Sequence, residues 1–141
     1  MKTILTNIEA LRMEVKTKNF NPQSDPKLLC TCGHSDCDKR SVNQFVLSHV
    51  QNIRNDAGRP LQITSGGRCP NHPNELHRSK PADHQNRVAV DIYYGTVKER
   101  NELMVLAGRY GATAVACGVN FVHMGWRNLN KDDNRVRTWE Y

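Results

Sequence analysis

Long apolar runs are missing from this 141-residue sequence, and none approaches the roughly 18 residues that a membrane-spanning helix needs. Glycine (9) and proline (6) are also too few for a collagen-like or low-complexity chain. What remains is a mixed composition with 38% hydrophobic residues spread along the chain. The length then fits one domain with a single hydrophobic core.

The sequence also shows no pattern typical of a secreted protein. Residues 1–12 hold no sustained apolar stretch, because Glu9 and Arg12 interrupt it, so we expect no signal peptide. Five cysteines are an odd number, whereas secreted disulfide frameworks more often have an even one. We therefore expect synthesis in a reducing cytoplasm, with thiols that are free or bound to metal.

Positive charge is in excess, with Lys+Arg 20 against Asp+Glu 14 and a formal net charge of +6. This balance predicts an anionic partner such as nucleic acid, an acidic membrane face or an acidic cell-wall polymer. A small nucleic-acid binder is disfavoured, because the basic residues are dispersed and aromatic residues are scarce.

Hydrophobic periodicity predicts helices over residues 1–18, over 41–58 with Ser41 as N-cap, and over 96–111 with Thr96 as N-cap. Alternating patterns predict strands over 61–64, 88–94, 114–117 and 121–126, with a long polar loop over 66–86. Mixed helices and closely spaced strands favour an α+β domain with a small, largely antiparallel sheet.

We assign residues 1–127 to one domain with an N-terminal helical extension over 1–20. Residues 128–141 form a charged C-terminal tail that we expect to be loosely packed, although Trp139 and Tyr141 could dock.

Asp91 lies in an otherwise apolar strand, where a carboxylate costs several kcal/mol to desolvate unless it is paired or binds metal. His84 lies in the polar loop just upstream, where a turn of the chain could bring its ring to the Asp91 carboxylate. His123 lies in a second apolar strand. Two histidines and a carboxylate with an open fourth position are the ligand set of a catalytic zinc site. Taken alone, the spacing favours the structural alternative, a surface histidine and a buried aspartate that an arginine or backbone amides satisfy.

Three ordered motifs narrow this choice: Ile63–Pro70 (ITSGGRCP), His84–Ile92 (HQNRVAVDI) and Phe121–Arg127 (FVHMGWR). Together they resemble the zinc D-alanyl-D-alanine carboxypeptidase family, with a hedgehog-like zinc fold, which includes phage-type endolysins that cut peptidoglycan stem peptides. The resemblance implies that His84, Asp91 and His123 bind Zn²⁺ and that Arg68 faces the substrate. An Arg68 ion pair with Asp91 or Asp83 is the structural alternative.

The chain departs from the family pattern at three positions. Arg87 stands where the family has glycine, and Asn120 and Gly125 stand where members carry a carboxylate that acts as general base. Asp83, which we name as the candidate catalytic residue beside Arg68, could replace that base. Glu75 and His77 are further candidates, hydroxide on zinc could act alone, or the domain binds without cleaving.

Four of the five cysteines offer a possible second, structural metal site: Cys30, Cys32, Cys37 and Cys69. Free thiols, or a disulfide formed after release to an oxidising compartment, are the alternatives.

The resemblance implies a zinc-dependent peptidoglycan peptidase, either a carboxypeptidase or an endopeptidase on stem peptides. We expect a phage lysin or a virion-associated lysin that is made in the cytoplasm and acts at the anionic envelope and cell wall. The alternative is a catalytically impaired zinc-binding relative that serves as a structural or wall-binding module.

Overall fold

A computed structural model describes residues 15–129 and 135–141 of the chain. Its helices and strands, in chain order, are α1 (Gln44–Ala57), β1 (Ile63–Ser65), β2 (Ala89–Tyr93), α2 (Val97–Arg109), β3 (Ala114–Cys117), β4 (Phe121–Gly125) and β5 (Arg137–Glu140). Short 3-10 turns occupy Pro26–Leu28 and Arg127–Leu129. The helix predicted over residues 1–18 falls mostly outside the described residues, and residues 15–18 are not helical.

The five strands form one sheet in the order β1-β2-β4-β3-β5. The pairs β1·β2, β2·β4 and β3·β4 are antiparallel, and β3·β5 is parallel. The predicted α+β class with a small, largely antiparallel sheet is confirmed. Neither helix of the described residues is long and apolar enough to cross a membrane.

The N-cap of α1 is Asn43, and the prediction of Ser41 was wrong. Asn43 Oδ1 accepts a hydrogen bond from Val46 N at 2.9 Å, whereas Ser41 is fully buried and its Oγ donates to Val42 O. Ser41 is instead held in an extended bridge with Leu29, which keeps it out of the helix. The helix ends as predicted at Gly58, whose φ of 69° is the left-handed conformation that glycine favours.

Helix α2 begins at the predicted N-cap, Thr96, which accepts a hydrogen bond from Glu99 N at 3.1 Å. Both helices contribute to one hydrophobic core beneath the sheet, and alternate residues of β2 (Val90 and Ile92) point into it. The core-facing side of β4 carries Met124, and Trp126 follows that strand. The other face of the sheet is therefore left to the polar residues of the same strands.

Residues 137–140 form an edge strand, so the expectation of a loosely packed tail was wrong for this part of it. Ala114 pairs with Arg137 and Cys117 with Glu140 in parallel register. Within this strand Arg137 and Trp139 are half-buried and alternate with the exposed Thr138 and Glu140, as expected of a strand with one exposed face. The strand brings both aromatic rings onto the polar face of the sheet.

Candidate metal centre

Asp91 and His123 are direct cross-strand partners at the centre of the sheet. Their Cα atoms pair in the β2·β4 ladder, and His123 Nδ1 lies 3.0 Å from Asp91 Oδ1. The two side chains are 5% and 2% exposed as whole residues, so both polar groups are removed from bulk water. The predicted proximity of these two residues follows from strand alternation and antiparallel pairing.

His84 reaches the same point from the long loop before β2. Its Nε2 lies 3.2 Å from Asp91 Oδ1, and its Nδ1 lies 2.7 Å from Gly66 O. Because a carbonyl oxygen only accepts, Nδ1 carries a proton, and Nε2 is the nitrogen that donates to Asp91 when protonated and can bind a metal when it is not. The loop thus fixes the tautomer and the orientation that a metal ligand needs.

Asp83 and Arg127 hold the third ligand in place. His123 Nε2 lies 2.9 Å from Asp83 Oδ2, and Arg127 donates to both oxygens of Asp83 at 2.8 and 3.1 Å. His123 therefore donates from Nε2 and turns Nδ1 towards Asp91. A carboxylate behind a metal-binding histidine is a common arrangement that orients the ring and raises its basicity.

These contacts set the charges of the buried groups. Burial alone would raise the pKa of Asp83 and of Asp91, but hydrogen bonds from His123, together with Arg127 or His84, hold both values well below the usual range. Burial alone would lower the pKa of His123, and the two carboxylates raise it. Both aspartates are therefore ionised at neutral pH, as a metal ligand and its supporting partner must be.

The donor set fits a zinc ion in number, type and spacing. One nitrogen of each histidine and a carboxylate oxygen of Asp91 all lie within 4.8 Å of one another. Ligands about 2.0–2.1 Å from a tetrahedral zinc ion are about 3.3 Å apart, close to the distances found here. Three protein ligands leave one coordination position open, which distinguishes catalytic from structural zinc sites.

Gly125 and Asp83 share one small space, which accounts for one departure from the family pattern. A Cβ atom at position 125 would lie 3.0 Å from Asp83 Oδ2 and 3.3 Å from the Cβ of Ala114. A side chain at position 125 would therefore crowd Asp83 and Ala114, which would have to shift to admit it. Asn120 is exposed and lies outside the lining of the cleft.

Arg87 adopts the conformation that the family's glycine favours, with φ of 66°. Its Nε donates to Ser41 O, and its own carbonyl accepts from Asn43 N. The arginine at this position thus connects the loop of His84 to the start of α1.

Arg68 lies beside the metal ligands and is held on three sides. Its guanidinium contacts Glu75 Oε2 at 3.4 Å and Asp91 Oδ2 at 3.5 Å, and its Nε donates to Ser65 Oγ at 3.1 Å. The ion pair with Asp91 that was the structural alternative for Arg68 is present, and an ion pair with Asp83 is not among the contacts of the described residues. The side chain still lines the cleft.

Glu75 is a buried carboxylate in the wall of the cleft. It is 2% exposed, its Oε2 contacts Arg68 and Arg78, and its Oε1 has no hydrogen-bond partner among the described residues. An unpaired buried carboxylate oxygen costs about 1–3 kcal/mol or more, so its retention requires an explanation. His77, the other loop candidate, is exposed and lines the same cleft.

The three metal ligands and the charged side chains around them border one open cleft of about 670 Å³; these charged residues are Arg68, Glu75, Asp83 and Arg127. Its far wall is aromatic and comes from the ends of the sheet: Phe121, Trp139 and Tyr141. The ring of Trp139 lies 5.4 Å from that of His123, and the Arg127 guanidinium lies 5.4 Å from the centre of the Trp139 ring. Tyr93, at the end of β2, is 40% exposed and lies outside the lining.

A family comparison decides what kind of site this is. The profile of the family described as Peptidase M15 matches residues 19–125, well over half of the chain. The chain belongs to the Peptidase M15 family. Peptidase M15 proteins are zinc-dependent metallopeptidases, which agrees with the ligand set at His84, Asp91 and His123. No curated protein sequence matches the chain.

The match ends at Gly125, so β5 and its aromatic residues lie beyond the part shared with the family profile. Sequence analysis missed the position of Arg127 behind Asp83 and placed Trp139 and Tyr141 only as residues that could dock. The available signal was the i, i+2 spacing of those two aromatic residues.

Asp83→Asn is expected to weaken zinc binding at this centre by about 10- to 100-fold, as loss of a supporting carboxylate typically does. The amide keeps the shape of the side chain but loses the charge that orients His123. Competition with a chromophoric chelator measures the change. Asp56→Asn, which breaks an exposed ion pair with Arg109, is the control, and equal affinity in the two variants would contradict the assignment.

Proposed function

We propose that this Peptidase M15 protein hydrolyses peptide bonds in peptidoglycan stem peptides, with zinc held by His84, Asp91 and His123. The observation that carries the proposal is the convergence of three ligand atoms at the floor of an open cleft, with both histidines oriented by separate hydrogen bonds. Zinc, when bound, supplies a Lewis acid that makes water nucleophilic at neutral pH and polarises a substrate carbonyl.

Arg68 positions the substrate in this proposal. Its planar guanidinium is fixed by Ser65 and Glu75 and borders the cleft beside Asp91. A guanidinium in that place pairs with a substrate carboxylate, or stabilises negative charge that develops on the carbonyl oxygen. Stem peptides carry free carboxylates, which makes them substrates of suitable charge for such a site.

Glu75 is the proton acceptor that we favour among the three loop candidates. Both carboxylate oxygens of Asp83 already accept hydrogen bonds, from His123 and Arg127, so we assign Asp83 a positioning role. Glu75 keeps one oxygen without a partner among the described residues and lines the cleft. That oxygen is buried in the wall of the cleft, so in this proposal the side chain turns towards the cleft to take a proton from water and to pass it to the leaving amine.

The cell wall is the proposed place of action, as a phage lysin or a virion-associated lysin. A net charge of +6 favours adsorption to an envelope rich in carboxylate and phosphate groups. The second candidate, a zinc-binding relative without activity, is favoured by one observation: Asn120 and Gly125 replace the carboxylates of the family pattern.

Digestion of purified peptidoglycan separates the two candidates. We expect the zinc-loaded protein to release peptide fragments that mass spectrometry identifies, expect EDTA to stop the release, and expect added zinc to restore it. Synthetic peptides ending in D-alanyl-D-alanine, and cross-linked muropeptides, distinguish carboxypeptidase from endopeptidase action. Protein that holds zinc and sediments with the wall, yet cleaves none of these substrates, would overturn the enzymatic proposal in favour of the binding module.

A further inference from the structure

Four cysteines form a second cluster, separate from the residues of the metal centre. Cys30, Cys32 and Cys37 lie in the loop between the Pro26–Leu28 turn and α1, and Cys69 follows β1. The four Sγ atoms all lie within 4.8 Å of one another, and those of Cys32 and Cys69 are 3.6 Å apart. Sulfur ligands about 2.3 Å from a tetrahedral ion are about 3.8 Å apart, so the cluster has the dimensions of a four-thiolate site.

The backbone around the cluster is arranged for sulfur that accepts hydrogen bonds. Lys39 N donates to Cys37 Sγ, and a backbone hydrogen bond from His34 lowers the pKa of the Cys32 thiol, whereas burial raises the pKa of Cys30 and Cys69. The donor–acceptor distance from Lys39 N to Cys37 Sγ is 3.4 Å. Turns at Gly33 (φ 80°) and Lys39 (φ 54°) allow this geometry, and a thiolate is a much better acceptor than a thiol.

The burial of the cluster also favours a metal over free thiols. Cys30 and Cys69 are 1% and 0% exposed, and Cys32 and Cys37 are partly exposed. A Cys32–Cys69 disulfide would use two of the four sulfurs and leave the convergence of Cys30 and Cys37 on them unexplained. The pKa of Arg40 is raised by its hydrogen bond to Asp38 and, to a smaller extent, by the charges of Cys69 and Cys30. Its guanidinium therefore offsets part of the negative charge of a four-thiolate site.

We propose that Cys30, Cys32, Cys37 and Cys69 bind a structural zinc ion, distinct from the ion at His84, Asp91 and His123. Four protein ligands close the coordination sphere, so this ion supports the fold and takes no substrate. The ion ties the 29–41 loop to the segment that carries Gly66 and Arg68.

That connection reaches the metal centre through two short steps. Gly66 O holds the ring of His84, and Arg68 directly precedes Cys69 in the chain. The same segment packs tightly on Leu28, the residue directly before the cysteine loop: Gly67 N donates to Leu28 O, and a Cβ on Gly66 would lie 2.6 Å from that oxygen. The cysteine site is thus a positioning device for Arg68 and for the carbonyl that orients His84.

Counting zinc per chain tests the proposal without relying on activity. Protein purified in reducing buffer with zinc is expected to hold two zinc ions, Cys69→Ser one, and Asp91→Asn the one at the cysteines. Cys117→Ser is the matched control and is expected to keep two, because this thiol lies apart from the cluster and contacts Met104 Sδ. One zinc ion in the unaltered protein, and none in Asp91→Asn, would overturn the second site while leaving the first intact.

Cobalt substitution tests the ligands even if Cys69→Ser fails to fold. Folded Asp91→Asn protein loaded with Co²⁺ is expected to show an intense sulfur-to-cobalt charge-transfer band in the near ultraviolet. Loss of the band on oxidation, with recovery after reduction and reloading, would support thiolate ligands. A spectrum without that band, or a reduced protein whose mass shows a persisting disulfide, would refute the site.

Discussion

Replacing Asp91 with asparagine is expected to remove zinc from the metal centre and to lower peptidase activity by about four orders of magnitude or more. The carboxylate contacts both histidines, so its neutral analogue leaves two ligands and no anionic one. The metal contributes several kcal/mol of charge stabilisation as well as the nucleophile, and each 1.36 kcal/mol is a factor of ten in rate. Zinc per chain and the rate of cleavage of a soluble stem peptide are the two measurements.

The isosteric change keeps the shape of the side chain, so the native fold is expected to persist with somewhat lower stability. Asp56→Asn removes a carboxylate from an exposed ion pair and serves as the charge-matched control. If Asp91→Asn retained both full zinc and full activity, the ligand assignment would be wrong.

Replacing Glu75 with glutamine is expected to lower kcat by about 10²–10⁴-fold, the usual effect of losing a general base. Zinc content is expected to stay unchanged, because Glu75 contacts Arg68 and Arg78 and is not one of the residues whose ligand atoms converge at the metal centre. This separation of activity from metal content distinguishes Glu75 from Asp91. Steady-state kinetics with zinc analysis on the same sample measures both.

Glu102→Gln is a suitable control for Glu75→Gln. Glu102 forms an ion pair with Arg59 on the surface, where loss of the charge costs little. A Glu75→Gln variant with kcat within about threefold of the unaltered protein would assign the proton transfer elsewhere, and His77→Ala would then be the next variant to measure.

The shared face of Asp91 and His123 could be predicted because strand alternation is a local property, whereas the complete ligand set with His84 was implied by the resemblance to a family. Val90 and Ile92 mark the core face of β2, so Asp91 had to face the other way, and the same reasoning applies to His123 in β4. Pairing of the two strands in the register that places Asp91 opposite His123 then makes these residues neighbours. The α+β class followed from the same patterns.

The groups that support the ligands depend on contacts between distant parts of the chain. Asp83 acquires its position from Arg127 and from the space that Gly125 leaves, and neither residue is near it in sequence. The unpaired oxygen of Glu75 likewise depends on where Arg68 and Arg78 come to lie. The cap of α1 moved from Ser41 to Asn43 because an extended bridge to Leu29 competes with the helix, and a local capping pattern cannot register that competition.

The position of Tyr141 has a practical consequence for handling the protein. Its ring centre lies 6.4 Å from that of His123, and the residue lines the cleft. A purification tag appended to that residue would begin at the mouth of the cleft, and a polyhistidine tag would place additional imidazoles beside the zinc ligands. Such a tag would compete with substrate and distort a metal count, so it is best joined to the other end of the chain or removed.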